Sequence, residues 1–71
     1  MGNLGENIRT ARKAANMTQE ELAAALGVRH PAISKWERGE CFPALPTLVR
    51  LANVLGSSVD DLLGRTGKSI S

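Results

Sequence analysis

Two short apolar periodicities separated by a single glycine restrict this chain more than anything else in it. From Thr18 to Gly39 the sequence reads TQEELAAALGVRHPAISKWERG. Leu22, Ala23 and Leu26 recur at helical spacing, and Gly27 ends that run because glycine enters the left-handed conformation at little steric cost. Stepped at about 100° per residue, Ala32, Ile33 and Trp36 then fall in one apolar arc. His30, Pro31, Ser34, Lys35 and Arg38 fall largely on the other side. The stretch is therefore two short helices joined by a tight turn. The second has an inner apolar face and an outer face of hydrogen-bonding and cationic groups, with Pro31 its one apolar member. Amphipathicity alone favours a merely solvated face. A helix held rigid from within and carrying donors outside also has the shape to enter a DNA major groove.

Seventy-one residues make one domain at most. A core this small rarely supplies more than ~3–5 kcal/mol net, so caps and short loops matter disproportionately. With 42% hydrophobic but only 3% aromatic residues, that core is mainly aliphatic, and Trp36 and Phe42 are its only candidate rings. The net charge of +2 is too small to argue for a nucleic acid partner. Its distribution says more: Arg9, Arg12, Lys13, Arg29, Lys35 and Arg38 precede residue 39, whereas Asp60 and Asp61 lie at the far end. One basic face is the natural consequence. The single Cys41 excludes an internal disulfide and a cysteine-based zinc site. No apolar run approaches membrane-spanning length and no signal-peptide pattern opens the chain, so the expectation is a soluble, cytoplasmic protein with no membrane partner.

Taken in order, Asn3 caps a first helix with Glu6 placed to reach back, and Leu4, Ile8, Ala11 and Ala15 form its apolar stripe. Arg9, Arg12 and Lys13 lie off that stripe, and Asn16 suits a left-handed stop. Thr18 with Glu21 makes a capping box for the second helix, and Met17 with Leu22 a hydrophobic staple. Gln19 thus sits in a first turn, either as an ordinary exposed residue or as a phosphate contact at the positive end of the helix dipole. Pro31 fits the first turn of the third helix, which begins at His30 or Pro31. Gly39 ends that helix, and Pro43 blocks its continuation through the loop Glu40–Pro43. Leu48, Leu51, Ala52 and Leu55 mark a fourth helix with Pro46 in its first turn and Gly56 after its end. Ser58 with Asp61 opens a short fifth helix carrying Val59, Leu62 and Leu63, closed by Gly64. Trp36 reads as core, closing a seam between the third and fourth helices.

The sequence TQEELA, then LGV, then IS.WE.G resembles the helix-turn-helix of the phage repressor and Cro family and its Xre-like bacterial relatives. The resemblance runs from Leu4 to Gly64 and leaves residues 65–71 as a flexible polar tail. It implies an all-α fold: a compact five-helix, lambda-repressor-like DNA-binding domain. It places His30, Pro31, Ser34 and Lys35 against base edges, and Gln19, Arg29, Arg38 and Arg12 against phosphates. In relatives an arginine of the first helix pairs with the glutamate of the WE or LE position, which here maps onto Arg12 and Glu37 as a structural ion pair. The chain departs from the pattern at Arg29, where relatives usually carry Ser or Thr, so the side-chain cap of the third helix is missing.

The function so implied is that of a sequence-specific double-stranded DNA-binding transcriptional regulator, a repressor acting as a homodimer on a palindromic operator. Val54, Val59 and Leu63 on the fourth and fifth helices are the candidate dimer surface. The alternative is a protein-interaction module of the same fold, an antitoxin or antirepressor-like partner. Enzymatic activity is not expected: His30 and Cys41, eleven residues apart, are the sole nucleophile and base candidates and have no orienting group. Nothing in the sequence suggests a cofactor, a metal or a small-molecule ligand.

Overall fold

The structure, a computed structural model, describes residues 3–64. The expected tail, 65–71, lies outside the described residues. Five helices follow one another: α1 (Leu4–Ala14), α2 (Gln19–Leu26), α3 (His30–Arg38), α4 (Leu45–Leu55) and α5 (Val59–Leu63). There is no strand among the described residues. No helix there is long and apolar enough to cross a membrane.

Local chemistry accounts for most of the ends. The Asn3 side chain accepts the Glu6 backbone N–H at 3.1 Å, which forms one half of the anticipated box. Asn16, at φ +60°, turns the chain out of α1. At the start of α2 the box is complete: Thr18 Oγ1 accepts the Glu21 N–H at 3.0 Å, and Glu21 Oε1 accepts the Thr18 N–H at 2.9 Å. Ser58 and Asp61 repeat the device on α5. Arg29 has the extended backbone of a helix cap but contributes no side-chain hydrogen bond, and Pro31 occupies the first turn of α3.

All five helices feed one core. Ile8, Leu22, Leu26, Ile33, Leu51 and Leu62 are its fully buried large side chains. The α3 helix packs against α1 and α2, α2 also meets α4, and α5 closes on α1 and α4. Trp36 is buried, 7% exposed, in this common core. Trp36 shares that core with Leu48, Leu51, Ala52 and Leu55 of α4, while the main backbone approach of α3 is to α1 and α2. Two stripe assignments change. Ala15 caps α1 and is exposed, since the helix has already ended there. Arg12, off the apolar stripe by periodicity, is only 9% exposed. The consequence for the site is mechanical: two helices clamp the inner face of α3 and leave its outer face to solvent.

Candidate nucleic-acid interface

The turn between α2 and α3 is Gly27, Val28 and Arg29. Gly27 takes φ +73°, and the Val28 N–H bonds back to the Ala23 carbonyl at 3.0 Å, which satisfies carbonyls the helix end would leave unpaired. Val28 then turns inward against the core. This fixes α3 relative to α2. On the outer surface Arg29, His30, Pro31, Lys35 and Arg38 are exposed, while Ser34 is half-buried.

Behind that surface runs a hydrogen-bonded chain from the interior to the exterior. Arg12 Nε donates to Glu37 Oε2 at 2.6 Å, and a second Arg12 nitrogen donates to Glu37 Oε1 at 3.3 Å. The remaining Arg12 nitrogen donates to the Met17 carbonyl at 2.8 Å. The two side chains are 11% and 4% exposed. Gln19 Nε2 donates to Glu37 Oε1 at 2.8 Å, and Gln19 Oε1 faces His30 Nε2 at 2.9 Å. A buried ion pair thus continues through Gln19 to the exposed ring of His30.

This arrangement gives Arg12 a structural role between α1 and α3. Its guanidinium donates from every nitrogen, and the residue is only 9% exposed. Gln19 is half-buried and joins α2 to α3 by side-chain hydrogen bonds, a link that sequence spacing does not reveal. Arg38 Nε donates to Glu40 Oε2 at 2.8 Å, with the side chains 58% and 54% exposed. Glu40 was not anticipated as part of the site, although an acid two residues beyond a basic helix end was a readable signal.

Among the candidate dimer residues, Val59 is drawn against the core, while Val54 and Leu63 keep moderate exposure. Phe42 and Leu45, at 68% and 67%, are far more exposed, and Val49 joins Leu45 one helical turn later on α4. Val49 lies off the stripe of Leu48, Leu51, Ala52 and Leu55, which was the available clue for it. Leu45 falls about 20° from Ala52 around the helix and Phe42 precedes α4, so periodicity gave no clue to either. Among the described residues no group of acidic, histidine and cysteine side chains could hold a metal ion.

A helix-turn-helix family model, HTH_3, matches residues 8–62. The chain belongs to the helix-turn-helix family. Its relatives include phage repressors and Xre-like regulators. The helix-turn-helix chain is 38% identical over 60 residues to the transcriptional repressor RstR of cryptic phage CTXphi from Vibrio cholerae, covering 84% of this chain and 54% of RstR. It is 42% identical over 64 residues to the control protein C.SmaI of Serratia marcescens, covering 90% and 76% respectively. Among solved structures, the c2 repressor of Salmonella phage P22 in complex with a synthetic operator superposes with a TM-score of 0.86 at 38% identity. That match covers 93% of this chain and all of the repressor chain. The chain spans about half the length of RstR.

Proposed function

We propose that this helix-turn-helix chain is a cytoplasmic, sequence-specific double-stranded DNA-binding transcriptional regulator, and that it acts as a repressor. The observation that carries the reading is the outer face of α3, where His30, Pro31, Lys35 and Arg38 are exposed on a helix clamped from behind by α1 and α2. A groove-entering helix must not yield on contact, and this one has no room to. The likeness to a phage repressor solved on its operator supports the same use of the face.

In this reading His30, Pro31, Ser34 and Lys35 meet base edges, with Lys35 donating to guanine O6 and N7 and Pro31 offering apolar contact to a thymine methyl. Arg29, Arg38 and Gln19 meet phosphates. Each good bidentate contact discriminates by about 1–3 kcal/mol, so one copy with so few readers is weakly specific. Two copies on a palindromic site, with recognition helices about 34–36 Å apart, overcome that. The second copy covers the apolar side chains outside the core, Phe42, Leu45 and Val49 ahead of Val54 and Leu63. With roughly six to eight phosphate contacts per dimer, affinity falls about 10³–10⁵-fold between 50 and 200 mM salt.

Selection of bound duplexes from a random pool at fixed salt tests this. Lys35→Ala abolishes the preference at one position per half-site, whereas Arg38→Ala weakens all sequences alike. Sedimentation of the complex returns two chains per duplex. Binding that neither substitution alters overturns the reading in favour of a protein-interaction module, and one chain per duplex overturns the dimer.

A further inference from the structure

We infer that Gln19 fixes the tautomer of His30, so that the neutral ring meets a base as a hydrogen-bond acceptor through Nδ1. This rests on the DNA-binding reading above and adds the polarity of one reader.

The inference begins at the buried ion pair and works outward. Glu37, paired with Arg12, is a carboxylate and offers acceptors alone. The Gln19 amide group 2.8 Å from Glu37 Oε1 must therefore be the NH₂ end. Turned over, it would set two oxygens face to face at that distance. The opposite end of the amide, the carbonyl oxygen, stands 2.9 Å from His30 Nε2. A carbonyl can only accept, so Nε2 carries the proton. A neutral imidazole has one N–H, which makes Nδ1 the acceptor and the ring nitrogen this pairing leaves for a ligand. His30 is itself exposed at the start of α3.

In the major groove the donors are the exocyclic amines, N6 of adenine and N4 of cytosine, while guanine N7 and O6 accept. The His30 acceptor therefore recognises an exocyclic amine. Lys35, with donors alone, recognises the opposite class. Without Gln19 the ring could present either polarity, and one of the two readers would lose its discrimination. Gln19 is in this sense a positioning residue: the chain Arg12–Glu37–Gln19 transmits a fixed hydrogen-bond direction from the interior to the reading surface.

The experiment uses the selected duplex and the position whose preference disappears in His30→Ala. Replacing that base by its analogue without the amine (purine for adenine, 2-pyrimidinone for cytosine) weakens binding about fivefold, as one lost hydrogen bond should. Replacing the purine N7 by carbon in that base pair changes binding less than about twofold. Both effects vanish in His30→Ala. In parallel, long-range ¹H–¹⁵N spectra of the free protein with the ring neutral show Nε2 protonated and Nδ1 bare. In Gln19→Met both tautomers appear and the loss on amine removal shrinks. Loss confined to the N7 replacement, no loss from either analogue, or Nδ1 found protonated in the neutral ring overturns the inference while leaving DNA binding intact. Failure to select any duplex overturns the DNA-binding reading instead, and the spectra still decide the tautomer.

Discussion

Gly5 and Trp36 meet backbone to backbone: a β-carbon added at Gly5 would stand 2.6 Å from the Trp36 carbonyl oxygen and equally close to that of Glu37. Glycine inside a helix is unfavourable by roughly 0.5–1 kcal/mol relative to alanine, yet here it lets α1 approach α3 at a distance no other residue permits. The obstructing atoms are main chain and cannot swing aside. Gly5→Ala is therefore expected to destabilise the domain by about 1–3 kcal/mol, against its helix propensity. Urea unfolding reads this directly, and a raised midpoint would show that α1 can shift outward at no cost.

The Arg12–Glu37 pair, with side chains 11% and 4% exposed, is buried enough that removing one partner strands a charge. Arg12→Ala or Glu37→Ala is expected to cost about 3–5 kcal/mol, against under ~1 for an exposed pair. A double-mutant cycle should give a coupling of at least about 1.5 kcal/mol. Coupling near zero would mean that each residue acts through packing alone.

At Arg29 the backbone already has the extended geometry of a cap, φ −87° and ψ 148°, without a side-chain bond to use it. Arg29→Ser offers a hydroxyl to the Ala32 N–H, which now bonds only the Arg29 carbonyl at 2.9 Å. Pro31 has no N–H to give, so the gain in stability should stay at the low end for a cap, about 0.5 kcal/mol. Thermal unfolding measures the gain. If Arg29 also meets a phosphate, the same variant lowers the salt slope of DNA binding by about one.

Arg38 Nε is held by Glu40 at 2.8 Å in an exposed pair that salt screens, and that carboxylate offsets the guanidinium charge and repels an approaching phosphate. Glu40→Gln should tighten DNA binding severalfold at low salt, equally for all sequences, with stability unchanged within about 0.5 kcal/mol. Titration of duplex at two salt concentrations checks it. Unchanged affinity at low salt would place Arg38 away from the DNA.

The helices, their order and their ends were legible because their causes are local. A cap, a box or a left-handed stop involves residues three or four apart, as with Thr18 and Glu21 or Ala23 and Val28. The outer face of α3 was legible for the same reason, since its periodicity separates Ile33 and Trp36 from Lys35 and Arg38. The pairing of Arg12 with Glu37 came from resemblance to a family. Periodicity alone put Arg12 on the solvent side of α1.

What periodicity cannot give is the identity of the surface that covers a given face. Asn7 Nδ2 donates to the Leu62 carbonyl at 2.9 Å across 55 residues of chain, and Gln19 reaches Glu37 across 18. The glycine demanded at position 5, the inward Val59 and the outward Phe42 and Leu45 have the same origin. Residues decide by themselves which side of their own helix is apolar. Packing the helices together decides which of those sides meet, how closely, and which polar groups are caught between them.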